Sequence, residues 1–354
     1  MEIMHRSSMD TGSYAACCSY LPDGSLLCGT YQLQDKSTNT SEEHRLGNVL
    51  HFTHGNDGEV GLLQSMTPTS GILDIQVKDN LASVMLADGT VSFLGLSNSF
   101  RLNLHEDQID KSFAEVQQNV SVVSEGLCLA GAWSDDSRMA VSDSKGGVSL
   151  IKKGEHSFGV SNHKDNVHEY EVWSVCWDCK NNDVLYSGAD DSFLKMHDLR
   201  SDSAVVTVKG HDAGVTSVVS SSSMENTLIT GSYDEHIRSW DKRMLKSASA
   251  TLKLGGGVWR IKASPEDDTL LACACMHSGA RIVRLNETGF VLQHSFMEGR
   301  QLVYGIDWCP TRRPKNRKPD GKTTNGEAHF LAACSFYDHI LDIYSFLPSR
   351  SSIE

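Results

Sequence analysis

The sequence predicts an all-β protein built from repeated four-stranded units, and three observations support this prediction. The segments 172–175, 215–218 and 258–261 resemble one another and follow at steps of 43 residues, a period typical of propeller blades. Each unit contains short apolar or alternating runs separated by turn residues, which indicates antiparallel strands. The 354 residues accommodate about seven such units and two longer loops. We therefore expect a closed seven-bladed β-propeller that spans 1–354 as a single domain.

The seven units follow one another along the chain in a register that weaker copies extend in both directions. They start near Tyr14, Ile72, Leu127, His168, His211, Gly255 and Gln301. Polar segments at 34–45 and 311–326 interrupt this register, and we expect both to be surface loops. The basic residues between 312 and 318 fit a nuclear-import or anion-binding patch, or simply a solvated loop. The sequence does not determine how the ring closes. The segment before Tyr14 is a candidate partner for the last blade.

One unit carries the residues of a known repeat. It opens with Gly210-His211 and ends with Trp240-Asp241, and it therefore resembles the WD repeat. The resemblance implies a buried hydrogen-bonded tetrad of His211, Thr230, Asp234 and Trp240. The preceding unit keeps the counterparts His168, Ser187 and Asp191. It has His197 where the tryptophan belongs, so we expect an altered tetrad there.

The charge balance limits the partners that this chain can have. Lys plus Arg number 32 and Asp plus Glu number 45, which gives a formal net charge of −13. A general nucleic-acid binder needs a basic surface, so we expect no direct nucleic-acid binding, but rather a cationic ligand or a basic partner surface. No apolar run reaches the roughly 18 residues of a membrane helix, and the first residues lack the layout of a secretory signal. We expect a cytoplasmic monomer without a membrane partner.

The ten cysteines suit a reduced protein core. Several lie within apolar runs, as in the segment 271–275, which favours buried thiols over disulfides. The pair Cys176 and Cys179 has no second pair at zinc-ribbon spacing and falls in a strand-like segment. We therefore expect no metal site.

Common catalytic sequences are absent from the chain. It has no Gly-x-Ser-x-Gly elbow, no Gly-x-x-x-x-Gly-Lys phosphate loop, no Gly-x-Gly-x-x-Gly and no His-Glu-x-x-His. Propellers mostly present loop residues around a central channel to other proteins. On these grounds alone, the sequence favours an interaction platform.

Two groups of residues are not explained by an interaction platform alone. The register places His277 where a turn aspartate is expected, so it is either a general base or an ordinary surface histidine. It also places Trp173, Trp259 and Tyr304 at the start of inner strands, around one channel mouth. These three rings either fill the top of the channel or form an aromatic cage for a cation.

Four segments are more specific than the repeat itself: 28–33, 231–237, 256–260 and 335–339. With their Gly-Gly-Val-Trp-Arg and Ser-Phe-Tyr-Asp-His motifs, they resemble the diphthine methylesterase family, the WD-repeat proteins of diphthamide biosynthesis, from about Tyr14 to Tyr344. The resemblance implies a hydrolase that needs no cofactor and acts on translation elongation factor 2. Its substrate there is a modified histidine with a methyl ester and a trimethylammonio group. Elongation factor 2 and other proteins of this pathway are the expected partners.

Ester hydrolysis needs an activated water or nucleophile and donors for the developing oxyanion. The candidates are His277 or His339 as the base, Asp338 or Asp307 to orient it, and Arg260 or Tyr304 to stabilise the oxyanion. The candidates for holding the trimethylammonio group are Trp173, Trp259 and Tyr304. The alternative function is a non-catalytic WD-repeat adaptor, which predicts stoichiometric binding without turnover.

Overall fold

The computed structural model describes residues 2–34, 44–55, 57–96, 114–201, 204–310 and 329–347. Within these ranges the chain forms β-strands that pair antiparallel in seven sheets. The seven-bladed β-propeller that the 43-residue period predicts is thereby confirmed. The segments 34–45 and 311–326 lie outside the described residues, apart from residues 34, 44 and 45.

Each blade is a meander of four strands. Strand β1 (Glu2–Asp10) belongs to the last blade. Blade 1 has β2 (Tyr14–Tyr20), β3 (Leu26–Leu33), β5 (Val49–His54) and β6 (Val60–Met66), with the short β4 (Arg45–Leu46) on β3. Blade 2 has β7 (Ile72–Lys78), β8 (Leu81–Leu86), β9 (Thr90–Leu96) and β10 (Ala114–Ser121). Blade 3 has β11 (Cys128–Trp133), β12 (Met139–Asp143), β13 (Val148–Lys153) and β14 (Phe158–Lys164).

The second half of the ring repeats this arrangement. Blade 4 has β15 (Ser174–Trp177), β16 (Val184–Gly188), β17 (Phe193–Asp198) and β18 (Ala204–Lys209). Blade 5 has β19 (Val215–Ser220), β20 (Thr227–Ser232), β21 (His236–Asp241) and β22 (Ala248–Lys253). Blade 6 has β23 (Arg260–Ala263), β24 (Leu270–Ala274), β25 (Ala280–Asn286) and β26 (Gly289–Phe296). Blade 7 has β27 (Val303–Trp308), β28 (His329–Ser335) and β29 (Ile340–Leu347), followed by β1.

The apolar core lies between neighbouring blades rather than in one central mass. The blade 1–2 cluster, for example, packs Cys17 and Leu27 against Ile72 and Leu86. The cysteines follow this pattern: all ten are free thiols and seven are buried. Among the described residues no cluster of His, Cys, Asp or Glu is arranged to hold a metal ion. Nor does any helix in this part of the chain have the length and apolarity required to cross a bilayer.

The ring closes through its first strand. Strand β1 pairs antiparallel with β29, from Glu2 opposite Leu347 to Asp10 opposite Ile340. The buried carboxylate of Asp342 reinforces this seam because it accepts hydrogen bonds from β1 and from Arg300. The N-terminal segment is thus the partner of the last blade.

The predicted tetrad forms in blade 5. The His211 ring contacts Asp234 Oδ2 at 2.9 Å and Thr230 Oγ1 at 2.7 Å, and Trp240 Nε1 donates to the same hydroxyl at 2.8 Å. In blade 4 the imidazole of His197 takes the tryptophan's place, since its Nε2 lies 2.8 Å from Ser187 Oγ. The altered tetrad therefore remains a connected hydrogen-bond network.

The tetrad tryptophan of blade 5 packs against a glycine that blade 4 lacks. A Cβ atom on Gly210 would lie 1.9 Å from Cη2 of Trp240, so the indole requires glycine at that position. Forty-three residues earlier, at the equivalent position of blade 4, the chain has Val167. An imidazole at position 197 needs less space than an indole, so it is compatible with valine at position 167.

Buried histidines predict a loss of stability in acid. Burial lowers the pKa of His197 and of His211 from 6.5 to about 4. Below pH 6.5 the unfolded chain therefore binds more protons than the folded chain, so stability falls until the folded pKa is passed. Between pH 6.5 and about pH 4, His197 alone lowers the free energy of unfolding by about 1.4 kcal/mol for each pH unit.

Urea unfolding of the wild type and of His197→Gln at pH 7 and pH 5 measures this effect. The variant should lose less stability than the wild type between the two pH values. His156→Gln, a change at an exposed position, is the matched control and should keep the wild-type pH dependence. Equal pH dependence in all three proteins would contradict the prediction.

Candidate functional site

The three aromatic residues at the inner-strand starts lie together at one mouth of the central channel. The ring centroids of Trp173 and Trp259 are 5.3 Å apart. Tyr304 stacks on Trp259 at 4.6 Å with 26° between the ring planes. All three side chains are partly exposed. Their role in substrate binding remains a prediction.

A fourth ring, Tyr233, completes what we call the mouth cluster: Trp173, Tyr233, Trp259 and Tyr304. Tyr233 lies 5.8 Å from Trp259 and 6.4 Å from Trp173. Its pKa is raised, chiefly by burial and next by the nearby Tyr304, with Asp190 and Glu171 contributing in the same direction. Tyr233 was missed by the sequence analysis, although it directly precedes the turn residue Asp234.

The mouth cluster continues into a second aromatic group on blades 1 and 7. Phe336 lies 5.2 Å from Tyr304 and stacks on Tyr14 at 4.9 Å. His339 packs edge-on against Tyr14 at 4.8 Å, and the Tyr337 side chain is 53% exposed beside it. His339 is thus connected to Tyr304 through two rings.

The predicted base His277 lies in the exposed turn between β24 and β25. The preceding residue, Met276, accepts a hydrogen bond from the backbone N–H of Val303 at 3.0 Å. Val303 directly precedes Tyr304, so the His277 turn borders the mouth cluster from the blade 6 side. The two candidate bases therefore belong to different blades, His277 to blade 6 and His339 to blade 7.

The predicted orienting carboxylates, Asp338 and Asp307, accept hydrogen bonds from groups other than these histidines. Asp338 accepts hydrogen bonds from the N–H of Gln301 at 2.8 Å and from the Ser335 hydroxyl. Asp307 lies on β27 and accepts from the N–H of Tyr20 at 2.8 Å. Burial raises the pKa of Asp307, and Lys262 partly offsets this effect. Within the described residues neither carboxylate hydrogen-bonds to His277 or His339, so the orienting role has no geometric support.

Asp338 resembles the turn aspartates of the WD tetrads. Asp191 and Asp234 accept hydrogen bonds from the N–H groups of Glu169 and Asp212 in the same way. Each of these aspartates also precedes a residue with positive φ, and for Asp338 that residue is His339, with φ of 57°. The left-handed backbone of His339 is thus a property of the blade turn.

Arg260 makes an ion pair across the channel. Its Nη2 lies 3.3 Å from Asp74 Oδ1, so the pair joins blade 6 to blade 2. Asp74 is 3% exposed and also accepts from the N–H of Gly131 at 3.1 Å and from Gln76 at 2.9 Å. The guanidinium next in sequence to Trp259 is therefore held in the channel beneath the aromatic rings.

Known proteins share the fold of this chain and part of its sequence. Residues 203–241 match the family described as "WD domain, G-beta repeat". The WD40 β-propeller domain of Doa1 superposes with a TM-score of 0.70 at 12% identity, covering 99% of this chain and 98% of that chain. This likeness supports the fold alone.

Two curated relatives match most of the chain. The diphthine methyltransferase homolog of Dictyostelium discoideum is 27% identical over 360 residues, which covers 90% of this chain and 92% of the relative. The diphthine methyltransferase of Homo sapiens is 30% identical over 312 residues, which covers 80% of this chain and 69% of the relative. The names of both relatives contain methyltransferase where the sequence motifs suggested methylesterase. Together with the WD-repeat propeller, these matches show that the chain belongs to the diphthine methyltransferase family.

Proposed function

We propose that this protein acts in diphthamide biosynthesis as a carboxylic ester hydrolase. Its substrate is methylated diphthine on translation elongation factor 2, and its products are diphthine and methanol. The observation that carries the proposal is the mouth cluster, because four aromatic rings at one channel opening suit a trimethylammonio group. The net charge of −13 also favours a cationic substrate on a protein partner.

The reaction transfers the ester's acyl group to water. A water molecule attacks the ester carbonyl, the C–O bond to the methoxy group breaks, and methanol leaves with the proton that the base took from water. His277 and His339 are the candidate bases because the His277 turn is hydrogen-bonded to Val303, next to Tyr304, and His339 packs on Tyr14 in the adjoining aromatic group. The trimethylammonio group, held by the ring faces, fixes the distance of the ester from them.

Tyr304 fits the role of oxyanion donor. Burial, followed by the nearby Tyr337, raises the pKa of Tyr304 to about 12. Its hydroxyl therefore stays protonated at neutral pH and can donate a hydrogen bond to the oxyanion. Arg260 remains a second candidate, although its ion pair with Asp74 already engages one edge of the guanidinium.

Intact mass spectrometry of methylated elongation factor 2, incubated with catalytic amounts of this protein alone, tests the proposal. We expect multiple-turnover loss of one methylene mass and release of methanol, with no added cofactor. A parallel reaction contains a methyl donor and unmethylated factor. The hydrolase would be overturned in favour of a transferase if the unmethylated factor gained mass in that reaction while the methylated factor lost no mass in the first.

A non-catalytic adaptor is the second candidate function. It is favoured by the absence of a carboxylate–imidazole pair at His277 and His339 among the described residues. An unchanged substrate mass in both reactions, together with stoichiometric binding to elongation factor 2, would support the adaptor. Retained turnover in His277→Ala and in His339→Ala would leave the hydrolase in place but remove both histidines as its base.

A further inference from the structure

The mouth cluster has a negatively charged edge. Asp190 lies in the blade 4 turn, and its Oδ1 accepts a hydrogen bond from Trp173 Nε1 at 3.0 Å. Its own N–H donates to the carbonyl of Glu171 at 2.9 Å, which brings a second acidic residue to the same edge. Asp190 is exposed. A cation on the Trp173 ring would therefore have this carboxylate at the edge of the same indole.

A glycine allows the carboxylate and the aromatic ring to approach each other. A Cβ atom on Gly214 would lie 2.7 Å from Asp190 Oδ1 and 3.1 Å from Cδ2 of Tyr233. Burial and the nearby Tyr304 are the main causes that raise the pKa of Tyr233, and Asp190 and Glu171 contribute in the same direction. The edge is thus part of the packing of the mouth cluster rather than a separate surface patch.

We propose that Asp190 is a specificity-determining residue, which makes the mouth cluster select a permanently charged, methylated ammonium group over an uncharged group of the same shape. The inference rests on the proposed function, since methylated diphthine is the substrate that presents such a group. Apolar contact alone cannot make this distinction, because it acts equally on both groups. The ring faces and the carboxylate attract only the cation.

The hydrogen bond between Asp190 and Trp173 couples charge to ring orientation. The indole N–H fixes the carboxylate, and the carboxylate in turn fixes the plane of the indole. An asparagine at position 190 retains a carbonyl oxygen as the acceptor and removes only the charge. Asp190→Asn therefore separates the electrostatic role from the positioning role.

Binding of choline and of its uncharged isostere, in which a quaternary carbon replaces the nitrogen, tests the inference on the full chain through tryptophan fluorescence. We expect choline to bind at least about tenfold more tightly than the isostere. Asp190→Asn should weaken choline binding about threefold to tenfold and leave the isostere unchanged. Asp212→Asn, an exposed acid in the next blade, loses the same formal charge and should behave as the wild type.

Three results would overturn the inference: no saturable response to choline, equal affinities for choline and the isostere, or an equal loss for both ligands in Asp190→Asn. The same variant in the demethylation assay separates this inference from the proposed function. A wild-type KM for methylated elongation factor 2 in Asp190→Asn would overturn the inference and leave the hydrolase intact. Charge-selective choline binding without any turnover would remove the hydrolase and leave Asp190 as a cation-selecting residue.

Discussion

Trp259→Ala is expected to reduce kcat/KM for methylated elongation factor 2 by about 30-fold, mostly through KM. Trp259 is the centre of the mouth cluster, with Trp173 at 5.3 Å, Tyr233 at 5.8 Å and Tyr304 at 4.6 Å. A cation over a partly desolvated indole is stabilised by about 2 kcal/mol. Since about 1.4 kcal/mol corresponds to a factor of ten, losing this ring gives the expected reduction. Steady-state kinetics on the isolated protein measures it.

Trp259→Phe is the matched variant because it retains an aromatic face of smaller area. We expect it to lose only about threefold in kcat/KM, since phenylalanine provides a weaker cation–π partner than tryptophan. Circular dichroism and thermal melting must show that both variants remain folded. A folded Trp259→Ala protein with wild-type kcat/KM would show that these rings merely fill the channel mouth.

The positions of the mouth residues follow from the repeat register. Trp173 and Trp259 are separated by two steps of 43 residues, so a ring of equivalent blades must bring both to the same face. Tyr233 and Asp190 could have been found by the same logic, because each directly precedes the turn aspartate of its blade. Asp338 lies two residues before the third strand of its blade, as Asp191 and Asp234 do, but it is 104 residues from Asp234 and so is not found by the 43-residue step. The repeat therefore contains more information about the site than its strongest motifs alone indicate.

Contacts across the channel could not be predicted in this way. Asp74 and Arg260 belong to blades 2 and 6, which are not neighbours in the ring. A repeat register specifies which residues share a depth in the channel, but it does not specify which side chain is long enough to reach the opposite wall. The histidine that replaces the tetrad tryptophan in blade 4 differs from this case. Gly210 and its counterpart Val167 can both be read from the sequence once the tetrad geometry is known.

Asp342→Ala is expected to lower the free energy of unfolding by about 3 kcal/mol. Asp342 is fully buried and contacts Arg300 Nη2 at 2.9 Å, His5 Nε2 at 3.2 Å and the Ser8 hydroxyl. Because His5 and Ser8 lie on β1, the carboxylate joins the two ends of the ring. Its removal leaves Arg300 without its counter-ion and weakens the pairing that closes the ring. A decrease in melting temperature on the order of 6 °C should result.

An exposed ion pair provides the matched control for this seam. Asp198 binds Arg200 through two hydrogen bonds, of 2.8 and 2.5 Å, but the arginine side chain is 65% exposed. Asp198→Ala should therefore leave the melting temperature close to that of the wild type, because exposed ion pairs contribute little to stability. Asp342→Asn, which keeps an acceptor oxygen for Ser8, should fall between the wild type and Asp342→Ala. If Asp342→Ala melted no lower than Asp198→Ala, ring closure would depend on the β1–β29 backbone pairing and not on this carboxylate.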